Sequence, residues 1–116
     1  MTDIRLVDQP ISRNKLKQIA KQGFGDMVKA VVDIEKELMV LGGDLHADEE
    51  AWLLDQGSKQ ENLWGINIYH ELDGPDMIEY DSMINIRPKQ NNLSRNVEDK
   101  KIREIIAAVV TKLIAD

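Results

Sequence analysis

Ile78-Glu-Tyr-Asp-Ser-Met-Ile-Asn-Ile-Arg87 is the stretch on which the fold turns. Ile78, Tyr80, Ile84 and Ile86 fall on one side of an extended chain. Glu79, Asp81, Met83, Asn85 and Arg87 fall on the other. Side chains on a strand alternate between faces, so the pattern predicts a half-buried β-strand. One face meets a core, and the other displays acids, an amide and a guanidinium.

Such a strand needs a partner. Upstream, Leu72-Asp-Gly-Pro-Asp76 is turn chemistry, so the stretch is expected to pair back on Leu63–Tyr69 as a hairpin. There Trp64, Ile66 and Ile68 share one face, and Gly65, Asn67 and Tyr69 the other. Earlier still, Met27–Asp33 and Leu38–Leu41 read as two strands joined through the polar Ile34-Glu-Lys-Glu37. Gly42-Gly43 is either a bulge or a strand end. Ile4, Leu6 and Val7 can add a short edge strand within an extended arm over 1–9.

Three helices complete the pattern. Ser12 suits an N-cap, Leu16, Ile19 and Ala20 follow at helical spacing, and Gly23 and Gly25 stop a helix at about 12–23. Ala47–Gln56 reads as a second helix, with Asp48, Glu49 and Glu50 in its first turn, where negative charge suits the macrodipole. Ile102, Ile105, Ile106, Val109 and Leu113 form the stripe of a third at about 97–114, with Asn96 and Asp99 placed to cap it. The expected fold is therefore α+β. It has a four-stranded, mainly antiparallel sheet of two hairpins and about three helices, in the order α-β-β-α-β-β-α. Val28, Ala30, Val32, Leu38 and Val40 are expected to face the helices. Val31, Met39, Leu41, Tyr69 and Met83 then form an apolar patch on the outer face, rimmed by charge, unless a helix crosses to cover it.

The 116 residues fit a single domain, 1–116. A chain of this length buries roughly two thirds of its unfolded surface and needs no staple. The absence of Cys removes disulfides, thiolate metal sites and cysteine nucleophiles. No apolar run approaches the ~18 residues of a membrane span, and Met1–Asp8 carries no secretory h-region. A soluble cytoplasmic protein with no membrane partner is expected. The net charge of −6 argues against nucleic acid as a partner.

Candidate chemistry is low in specificity. His46 and Glu50 are four apart, one helical turn, but no third metal ligand is evident, so no metal or cofactor is implied. His46 has the pKa range of a proton carrier, with Asp48 or Asp81 as an orienting acid. The alternative is a structural histidine at a helix start. Asp81, Asn85 and Arg87 share a strand face with Glu79, where Arg87 suits a carboxylate or phosphate. Cross-strand pairing with Lys29 or Asn67 is the plainer explanation. Arg87 and Arg95 flank a loop that enters the last helix and suit an anion, although no Gly-rich cradle is present. Ser58 has no base partner in sequence, which argues against a serine hydrolase.

Four stretches carry a resemblance. They are Val31–Lys36, Gly42–Ala51, Gly57–Tyr69 and Asp81–Pro88. Together they resemble a family of short bacterial proteins described only as a domain of unknown function. The resemblance runs from about Pro10 to the C-terminal helix. It implies no activity.

Two functions stay open. One is a small binding or interaction module, self-associating through the mixed sheet face. The other is a small enzyme or anion-binding protein using His46, Asp81, Asn85, Arg87 and Arg95. The surface common to both is His46, Asp48, Asn67, Tyr69, Asp81, Asn85, Arg87 and Arg95.

Overall fold

The computed structural model of the chain describes residues 3–115. Of the expected N-terminal arm, Met1 and Thr2 lie outside the described residues. The arm supplies β1 (Arg5–Val7) and β2 (Ile11–Ser12). Ser12 then caps α1 (Arg13–Lys21), its hydroxyl accepting the Lys15 N–H at 3.0 Å. Gly25, at φ 91°, lets the chain reverse after the helix.

β3 (Met27–Asp33) and β4 (Leu38–Leu41) form the expected hairpin. The Asp33 carboxylate organises its turn by accepting the Glu35 and Lys36 N–H groups at 3.0 and 2.9 Å. α2 (His46–Asp55) follows, then β5 (Leu63–Tyr69) and β6 (Ile78–Glu79). α3 (Lys100–Leu113) is capped by Asp99, and β7 (Ile114–Ala115) pairs in parallel with β2. The main sheet has five strands in the order β1-β4-β3-β5-β6, every neighbour antiparallel. The fold is thus α+β with three helices. The fifth strand is β1, added at the edge beyond β4, and the two-residue β2–β7 ladder is a second small sheet.

α1 and α3 cover one face. Leu16, Ile19, Ile106, Val109 and Leu113 pack there on Val28, Ala30, Val32, Met39, Leu41, Trp64, Ile66 and Ile68. α2 covers part of the other, where Leu53 packs on Val31, Val40 and Leu63. β4 corrects the expected faces. The pairing is Val32↔Met39 and Val31↔Val40, so Met39 and Leu41 meet α1 and α3 while Leu38 and Val40 face α2. A four-residue turn joins an even residue of one strand to an odd residue of the other, which shifts the faces of β4 by one. The expected apolar patch is accordingly not an open surface, because Val31, Met39 and Leu41 are fully buried.

The opening stretch is corrected as well. Only Ile78 and Glu79 are strand, paired as Ile78↔Ile68 and Glu79↔Asn67. Met83–Asn85 is a turn of 3₁₀ helix, and Pro88–Gln90 is another. Asn85 and Arg87 are buried, whereas Met83 is 66 % exposed and Ile86 40 %. The cause is local. Gly65 has no side chain, and the Ser82 side chain fills the space a Cβ would take. Beyond Ser82 the Asn85 amide takes the place of a strand. Its Oδ1 accepts the Gly65 N–H at 2.8 Å and its Nδ2 donates to the Gly65 carbonyl at 3.0 Å. A side-chain amide is chemically a peptide group, so it completes the β5 ladder where β6 has ended.

Candidate functional site

The loop after β6 draws two of the expected site residues into structural work. Arg87 donates from Nε to the Ile84 carbonyl at 3.0 Å, and from Nη1 to the Gln60 carbonyl at 2.7 Å and the Gln90 side chain at 3.3 Å. Its Nη2 reaches the Leu63 carbonyl and, at 3.5 Å, Glu50. The guanidinium also lies 4.8 Å from the centre of the Trp64 ring. Burial lowers its pKa and the Glu50 carboxylate opposes that shift. Asn85 is occupied with Gly65 and the Arg95 carbonyl. Asn92 ties the same loop, donating to the Asn85 and Asn96 carbonyls and accepting the Glu98 N–H.

A different group gathers on the part of the outer face beside β6. Register puts Lys29, Asn67 and Glu79 side by side across β3, β5 and β6, with Tyr69 one step along β5. Asn67 Nδ2 donates to Glu79 Oε1 at 2.8 Å, and the Tyr69 hydroxyl donates to the same oxygen at 3.2 Å. Burial, then the Glu79 charge, push the Tyr69 phenol up. Asn67 Oδ1 is buried and has no partner. Lys29, the cross-strand neighbour of Asn67, lies with its ammonium 5.2 Å from the centre of the Phe24 ring.

His46, the first residue of α2, reaches the same neighbourhood. Its Nε2 stands 2.8 Å from the Ile66 carbonyl. A carbonyl only accepts, so Nε2 carries the proton and Nδ1 keeps its lone pair. Burial lowers the His46 pKa. The Ile66 bond opposes this, Lys29 and Arg95 reinforce it, and Asp81 acts against them. Asp81 is itself paired with Arg95, Oδ1 to Nε at 2.6 Å. Asp48 stays exposed in the first turn of α2.

Of the eight expected residues, His46, Asp81 and Arg95 act on one another, and Asn67 and Tyr69 share Glu79. Asn85 and Arg87 belong to the loop network, and Asp48 acts on Glu49. Glu49 lies outside that set. It is fully buried against Gly43, just past the end of β4, with Oε2 accepting the Gly43 N–H at 2.9 Å and Oε1 unpartnered. Desolvation pushes its pKa up to about 9. Its spacing was readable, since Glu49 and Leu53 are one helical turn apart and share a buried face. Among the described residues no group of three or more His, Asp or Glu could hold a metal ion, and no helix is long and apolar enough to cross a membrane.

The architecture and this polar row define a small α+β protein with a partly covered sheet face. Residues 5–113 match the family described as "Protein of unknown function (DUF5674)", and the chain belongs to that family. No curated protein and no solved structure matches it.

Proposed function

We propose that this one-domain chain is a binding module whose site is the polar row on the outer sheet face beside β6. The ligand is a small polar molecule that presents hydrogen-bond donors. One observation carries the reading: Asn67 Oδ1 is buried without a partner in the middle of a charged row. A buried acceptor without a donor costs about 1–3 kcal/mol, which a ligand N–H or O–H restores. Two further acceptors lie nearby. His46 Nδ1 has a lone pair, Glu79 keeps a second oxygen, and Arg95 is already engaged by Asp81.

The test is amide NMR with putrescine, glucose and inorganic phosphate as probes. A donor-bearing probe is expected to move the Asn67, Tyr69 and Glu79 signals saturably, and Asn67→Leu is expected to abolish the effect. Phosphate acting alone, through Arg95, would replace this reading with the anion-binding one. Silence from all three probes overturns both.

A further inference from the structure

A cavity lies on the side of the sheet that α1 and α3 cover. It is a groove of about 790 Å³ between β6 and α3. It lies where the 3₁₀ turn Gly74–Met77 and β6 run beside α3. Met77, Ile78 and Tyr80 form one wall, and Ala107, Val110 and Ile114 the other. The volume falls within the roughly 300–1,000 Å³ typical of small-molecule sites, which are mostly apolar with a few placed polar groups.

The polar groups here are mainly cationic. Arg13, Lys100 and Arg103 line the groove, and Glu104 is the one acid among its lining residues. Arg13 is paired with Asp73 at 2.8 Å. The other two differ. Arg103 spends Nη1 on the Val97 and Glu98 carbonyls, which are neutral partners, so its charge is not cancelled. That charge is felt in the groove wall, where it opposes the rise that burial imposes on the Tyr80 phenol. Lys100 makes no ion pair within 4.0 Å among the described residues. Two uncancelled cations beside an apolar trough run against the sign of a chain whose net charge is −6. The Tyr80 hydroxyl donates to the Arg103 carbonyl at 3.2 Å and so fixes the wall to α3.

We infer that this groove binds a small amphipathic carboxylate. Its aliphatic or aryl body lies against Ile78, Ala107 and Val110, and its carboxylate meets Lys100 and Arg103. Burial of its methylenes drives binding, and the carboxylate adds a charge-assisted contact at the rim. The size of the pocket depends on Ala107, because a larger residue there would stand between the two walls.

Three probes of equal tail length, octanoate, octylamine and octanol, separate the terms in amide NMR titrations kept below micelle formation. Octanoate is expected to shift Ile78, Ala107 and Val110 saturably, with affinity at least tenfold above octylamine. Lys100→Glu is expected to weaken octanoate fivefold or more. Ala107→Phe is expected to fill the groove and abolish binding while the thermal midpoint is kept or raised, which shows that the variant still folds. Octylamine binding as tightly as octanoate would overturn the inference. So would unchanged octanoate affinity in folded Ala107→Phe, or no saturable shift with octanoate.

Discussion

At the scale of single residues, Glu49 is an ionisable group held wholly inside the protein. It is fully buried, has one hydrogen bond, and lies so close to Gly43 that a Cβ there would sit 2.8 Å from its Cγ. Burial raises its pKa from an ordinary 4.5 to about 9. The native state therefore holds this proton more tightly than the unfolded chain does. The resulting stabilisation is complete below pH 4.5 and is lost progressively as pH rises towards about 9. In that window the slope approaches about 1.4 kcal/mol per pH unit. Glu49→Gln, neutral at every pH, is expected to be more stable than the parent at pH 8 and to lack this decline. Urea unfolding from pH 5 to 9 measures it, and an equal decline in both proteins would contradict the assignment. The burial was legible from the Glu49–Leu53 spacing. The three acids at a helix start gave a simpler explanation and hid it.

At the scale of elements, the alternation of a strand was readable where the strand was regular. Lys29, Asn67 and Tyr69 sit on the outer face as their parity requires. β4 was not readable in this way. Leu38-Met-Val-Leu41 is apolar at every position, so its residues contain no face signal, and the length of the preceding turn decides. Ile78–Arg87 misled for the opposite reason. It alternates well, but Gly65 on the neighbouring strand leaves room for Ser82, and the Asn85 amide satisfies the ladder from a loop. Those are contacts across about twenty residues, and no local pattern encodes them. Gly65→Ala is consequently expected to destabilise the protein by about 2 kcal/mol or more, since its Cβ would lie 2.5 Å from Ser82 Oγ. Ser82→Gly in the same chain is expected to recover part of the loss. Chemical denaturation of the two variants checks this, and a neutral Gly65→Ala would show that the loop is not held there.

At the scale of the whole molecule, the sequence reading gave the correct class and the three helices, while the β1 edge strand and the small β2–β7 ladder raised the strand count. Self-association through the outer face is the expectation that an apolar patch of Val31, Met39, Leu41, Tyr69 and Met83 raises. α2 covers Val31, and Met39 and Leu41 face the other helices. Light scattering at high concentration is therefore expected to report a monomer. A dimer disrupted by substitutions at Met83 or Leu93, which are well exposed, would point to the loop and not the sheet. The two proposed sites lie on opposite sides of the sheet, the polar row on the face that α2 partly covers and the groove beside α3.

The bond between Asn85 and Gly65 also makes a clock. The Gly65 amide hydrogen is sheltered by a side chain that arrives from a loop, so it can meet deuterium whenever that loop lifts, without the sheet coming apart. Its neighbours in the β3–β5 ladder must wait for a larger opening. The gap between those two exchange rates measures how firmly residues 82–98 are latched to the rest of the chain.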